Sequence, residues 1–153
     1  MSGTIEKRLA DLGVTLPDAP APAANYVPWV ISGNLVFVSG QISNGPDGLI
    51  KGRLGDGMSV EDGAAAAKQC AISLLAQVKA ACGGDLDRLK RVVKLTGFVN
   101  STQDADQHPW VINGASDFLV EALGDAGRHS RSALGAHLPL GVAVEIEGIF
   151  EIA

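Results

Sequence analysis

Arg131 and Glu145 stand inside RSALGAHLPLGVAVEIEGIFE (131–151), a run that otherwise reads as packed strand. Charged side chains are rarely buried without a partner. A guanidinium meets a carboxylate in a planar two-bond fork that lysine cannot reproduce. A half-buried glutamate is suited to hold a water molecule and take its proton. Three more polar residues sit at the margins of regular structure. Ser39 closes the apolar run of LVFVSGQI just before Gly40, Asn113 lies early in a helix, and Tyr26, the one tyrosine, falls in a proline-spaced arm. Singly, these are a turn hydroxyl, a surface amide and an arm aromatic. Their joint occurrence with Arg131 and Glu145 asks for a common explanation.

Other chemistries lack their signatures. His108, His129 and His137, with Cys70 and Cys82, offer no HExxH or CxxC spacing, so structural or surface roles and no metal site are expected. Gly52, Gly55 and Gly57 precede a helix without GKS, GKT or GxGxxG, and turn the chain rather than cradle phosphate. No GxSxG elbow marks a serine hydrolase.

The elements that must position these residues follow from local signals. Thr4 to Leu12 reads as a short helix stopped by Gly13, followed by the irregular arm LPDAPAPAANYVP. Val27–Ile31 and Leu35–Ser39 read as strands about a Ser32-Gly33-Asn34 turn. A glycine-rich loop spans 44–57, with a strand fragment at Leu49-Ile50. Ser59 caps a long alanine-rich helix that runs to Cys82 and stops at Gly83-Gly84. Its alanines imply close packing. Val92–Asn100 is a strand, and Pro109 opens a second helix that ends near Leu123 before Gly124. Arg131–Ala136 and Val142–Ile152 are strands read as a closing hairpin around LPLG.

This order predicts a single α+β domain over 1–153, its sheet covered by two helices on one face. Apolar strand positions such as Leu35, Phe37, Val144, Ile146 and Ile149 then favour self-association through the other face.

The length suits one core, and 46% hydrophobic with 19% charged residues describes a globular chain. A net charge of -5 disfavours a nucleic-acid partner, because phosphate affinity comes from Lys and Arg. Cys70 and Cys82 would lie roughly 18 Å apart along one helix, beyond disulfide reach, which points to buried free thiols. The amphipathic N-terminus lacks a signal-peptide core and no apolar run approaches the ~20 residues of a membrane span, so a cytoplasmic protein is expected.

LVFVSGQIS, the FVN strand end, VINGASDFL and RSALGAHLPLGVAVEIEGIF, in this order, resemble the RidA family (YjgF/UK114), and most of all its YjgF-like endoribonuclease-labelled branch. The resemblance covers nearly the whole chain. It implies a chorismate-mutase-like fold of the bacillus type, a homotrimer with ligand clefts between subunits, and cofactor-independent hydrolysis of reactive enamines and imines to 2-keto acids and ammonia. It also implies roles. Arg131 would grip the carboxylate of an imino or keto acid; Tyr26, Ser39 and Asn113 would line the cleft; Glu145 would position water. Where many members carry a cysteine two residues after the arginine, this chain has Ala133. Arg131 precedes Leu138 by seven residues rather than the family's usual eight, a change that on a strand exchanges faces. Two other readings accompany the deaminase: a non-catalytic carboxylate-binding module on the same fold, and the endoribonuclease of the branch label.

Overall fold

The computed structural model describes residues 3–153; Met1 and Ser2, the first residues of the expected domain, lie outside them. The elements are helices α1 (Thr4–Asp11), α2 (Val60–Ala81) and α3 (His108–Leu123), with strands β1 (Trp29–Ser32), β2 (Leu35–Ile42), β3 (Asn44–Gly45), β4 (Gly48–Leu49), β5 (Leu89–Asn100), β6 (Ser130–Ala136) and β7 (Val144–Ile152). The main sheet has the order β1-β2-β7-β5-β6, and β3 and β4 form a separate two-stranded ribbon.

Local chemistry explains the helix ends. The Ser59 hydroxyl accepts from the Asp62 N–H at 3.0 Å, Glu61 and Asp62 occupy the positive end of α2, and Gly83 takes φ 66° just beyond it. α1 has no cap of its own; the Asp87 carboxylate accepts from the Thr4 and Ile5 N–H groups at 2.8 and 3.0 Å. These bonds hold the Asp87 pKa below its ordinary value.

α2 and α3 pack on one sheet face, and Val36, Val38, Leu95, Val99, Ile146 and Phe150 point into the core with them. The small residues are there for close approach. A β-carbon on Gly114 would overlap the backbone of Ala64, and one on Gly97 would press into Ile112 at 2.6 Å. α3 therefore lies against both α2 and the sheet. Cys70 and Cys82 are buried free thiols.

Three expectations need correction. β6 and β7 are not a hairpin: β5 lies between them, parallel to β6 and antiparallel to β7. The 3-10 turn Pro139–Gly141, with Leu140 at φ 61°, starts a crossover rather than a two-strand turn. β2 continues past Ser39 to Ile42 through a register shift between Val38 and Gln41. Val144 and Ile146 belong to the core; the open face carries Leu35, Phe37 and Ile149, joined by Val30, Phe98 and Leu134. Among the described residues no helix is long and apolar enough to cross a membrane.

Candidate functional site

The free edge of β2 positions Ser39, Tyr26 and Glu145. β1 pairs only with Leu35–Val38, so Ser39 to Ile42 faces the proline-spaced arm. The Ser39 N–H donates to the Pro28 carbonyl at 2.9 Å and its hydroxyl donates to the Val27 carbonyl at 2.8 Å. Deeper in, the Gln77 amide donates to the Pro20 carbonyl at 2.7 Å and to Gln41 Oε1 at 3.3 Å. The arm is thus tied to α2 and β2, and a cleft of about 310 Å³ forms beneath it. Tyr26, Gly40, Ile42, Ser73, Leu140 and Glu145 are among its walls.

Glu145 is half-buried on the open sheet face, in a cross-strand row with Ile42, Phe98 and Leu134. These apolar neighbours remove water from the carboxylate. Burial, followed by repulsion from Glu147 two residues along the same face, raises the Glu145 pKa above its ordinary value. A β-carbon at Gly40 would overlap the Glu145 carboxylate, so a residue without a side chain is what lets the acid occupy this wall. Under the strand, burial and then the Glu145 charge push the Cys70 thiol up, which leaves it inert.

Arg131 lies elsewhere. It is paired in register with Leu95, with no shift between Ser130 and Ala136, and so points to the helix face. Glu145 shares its level with Leu134, two strands or about 10 Å across the sheet, and projects from the opposite surface. Within one protomer the two do not meet. Arg131 Nη1 donates to Ser116 Oγ at 2.9 Å and Nη2 to the Pro109 carbonyl at 3.0 Å. Pro109, Asn113 and Ser116 have the helical spacing that stacks residues on one face of α3, which brings Asn113 beside Arg131. Among the described residues neither Arg131 nor Glu145 has an ion-pair partner.

The five expected residues thus sort into two separate groups across one sheet: Tyr26, Ser39 and Glu145 by β2 and β7, Arg131 and Asn113 by β6 and α3. Among the described residues no three His, Cys, Asp or Glu side chains converge as a metal centre requires. His137 lines a separate open depression of about 550 Å³ with Arg53 and Asn100. His108 Nε2 lies 2.9 Å from Ser101 Oγ.

The cleft, largely apolar but for Tyr26, Ser73 and Glu145 among its walls, thus lies beside a mixed five-stranded sheet with two helices on one face. The family described as "YjgF/chorismate mutase-like, putative endoribonuclease" matches residues 6–143, and the chain belongs to it. Protein TCP17 of Trypanosoma cruzi is 47% identical over 154 residues, covering 99% of this chain and 96% of that protein. The crystal structure of Atu1372 from Agrobacterium tumefaciens, described as of unknown function, superposes with a TM-score of 0.90 at 47% identity, over 97% and 92% of the two chains. A "putative endoribonuclease" from Shewanella oneidensis gives 0.92 at 36% identity, over 98% and 100%. The more distant Escherichia coli TdcF, solved with bound serine, gives 0.61 at 28% identity, over 88% and 94%.

Gly40 and Ser116 escaped the sequence reading for different reasons. Gly40 stood inside the SGQ motif but its necessity depends on a strand distant in sequence. Ser116 carried a usable signal, the 109/113/116 spacing, which became meaningful only once β6 was known to lie under that face.

Proposed function

We propose that the protein is a cofactor-independent deaminase of reactive enamines and imines, working through clefts completed between copies of the chain. The observation that carries the reading is Glu145: a half-buried carboxyl with a raised pKa, held open to a cleft by Gly40. A general base is most effective when its pKa approaches the working pH. The separation of Arg131 from Glu145 supports an assembly in which the β6 edge of one copy meets the β2 edge of the next. Such a head-to-tail contact uses different surfaces on each partner and gives a ring when the rotation between copies closes, as in the trimer that the family resemblance implies. The open apolar face, with Val30 52% and Phe37 42% exposed, provides surface for it. The serine bound to TdcF supports a small carboxylate-bearing ligand for the family.

In this scheme an iminium acid, formed when a 2-aminoacrylate-like enamine takes a proton from solvent at its terminal carbon, is gripped by Arg131 through charge-assisted bonds of about 1.5–3 kcal/mol. Asn113 and Tyr26 flank it, and Ser39 holds the arm in place. Glu145 takes a proton from water as the oxygen bonds to the C=N carbon and the π pair moves to nitrogen. The acid then returns that proton to the amine. The C–N bond breaks, the hydroxyl proton passes to the departing nitrogen, and a keto acid and ammonium remain. The base contributes about 10²–10⁴ in rate. The test is ammonia release from enzymatically generated 2-aminoacrylate: wild type accelerates it and Arg131→Ala does not. Tight pyruvate binding without acceleration would instead favour the binding module, and metal-free RNA cleavage by a nuclease-free preparation would favour the ribonuclease.

A further inference from the structure

His129 and Ser116 extend the hydrogen-bond chain that begins at Arg131. His129 Nδ1 lies 2.6 Å from the Gly127 carbonyl, its Nε2 lies 2.9 Å from Ser116 Oγ, and Arg131 Nη1 donates to that same oxygen at 2.9 Å. The chemistry of the end groups dictates every proton in this chain. A carbonyl oxygen only accepts, so Nδ1 carries the ring proton. Nε2 of the neutral ring is then an acceptor and receives the Ser116 hydroxyl proton. This turns the serine lone pairs toward Arg131, which only donates. Burial of the ring, aided by the Arg131 charge and opposed by the Gly127 hydrogen bond, lowers the His129 pKa and keeps the acceptor available at neutral pH.

Of five guanidinium N–H groups, two are used by Ser116 and the Pro109 carbonyl. Three remain, enough for a two-bond fork to a carboxylate. An arginine on an edge strand otherwise has many rotamers, and each is a competitor to the one that presents that fork.

Resting on the deaminase reading, we propose that His129 is a positioning residue that acts through Ser116 to fix the Arg131 guanidinium in its carboxylate-gripping orientation. The ring touches neither ligand nor water in this role; it decides which way the serine hydroxyl points.

The test is calorimetric binding of pyruvate to the full chain and to four single variants and one double variant. Arg131→Ala abolishes binding. His129→Phe, which keeps a ring without the acceptor, weakens it about three- to tenfold, the worth of one hydrogen bond, and Ser116→Ala does the same. The double variant is no weaker than either single one, because the two side chains act in series. His129→Gln, whose amide supplies one donor and one acceptor, recovers most of the affinity. Damage to packing alone would give additive losses and no recovery with glutamine. Wild-type affinity in Ser116→Ala, or in His129→Phe, with binding still lost in Arg131→Ala, overturns the relay. Undiminished binding in Arg131→Ala overturns the assignment of Arg131 itself. Should His129→Phe fail to fold, Ser116→Ala and His129→Gln decide the matter.

Discussion

Gly40→Ala isolates the position of Glu145 from its presence. Gly40 does not adopt a positive φ, so alanine fits the backbone without strain. The nearest atoms to the added methyl all belong to the Glu145 side chain: it overlaps the carboxylate oxygen and lies 3.0 Å from Cδ and 3.2 Å from Cγ. The far end of a half-buried glutamate swings aside at little cost, so the fold survives. To reach ordinary contact the carboxylate must retreat by on the order of 1 Å, a misplacement that can lower a rate about 10²-fold. The expected result is a folded variant that binds pyruvate within a few-fold of wild type and releases ammonia from 2-aminoacrylate about a hundred times more slowly. Thermal unfolding monitored by circular dichroism serves as the control for stability. Full activity in a correctly folded Gly40→Ala protein would refute the argument that this wall of the cleft carries the base. Loss of activity strictly in proportion to loss of folded protein would refute it equally.

Three other perturbations probe separate parts of the reasoning. Glu145→Gln should lower kcat by about 10²–10⁴ and remove the acid limb of the pH–rate profile, which in wild type lies above the ordinary glutamate range because the pKa is raised. The same shift has a sign for stability. The folded state holds this proton more tightly than the unfolded chain, so wild type loses stability as pH rises from the unfolded pKa through the folded one. Glu145→Gln abolishes that loss, and its Tm at pH 7 should be at or above that of wild type in a thermal melt. Gly114→Ala drives a methyl into the Ala64 backbone and should destabilise by about 2 kcal/mol or more, lowering Tm by about 4–8 °C in calorimetry. Phe37→Asp, on the open sheet face, should yield monomers by analytical ultracentrifugation. It should also abolish ammonia release, although Phe37 belongs to neither group of site residues.

The features legible from residue order alone lie mostly within a few residues of each signal. Ser59, Pro109, Gly83 and Gly124 mark helix limits because caps and breakers act through hydrogen bonds one turn away, and both long helices run where those residues put them. Motif order also pointed to the family. The sheet was harder. Val142–Ile152 reads as the return arm of a hairpin with Arg131–Ala136, yet β7 takes the centre of the sheet and β6 an edge, since strand adjacency is chosen by long-range burial rather than by the intervening turn. Tertiary structure alone decided which surface each charge occupies. The unbroken register of Ser130–Ala136 against Lys94–Asn100 sends Arg131 under α3, and the Ile42–Glu145–Phe98–Leu134 row dries the carboxylate that Gly40 accommodates. Side chains alternate faces at every residue of a strand, so one step of register exchanges core for solvent, and that step is set by neighbours far away in the chain.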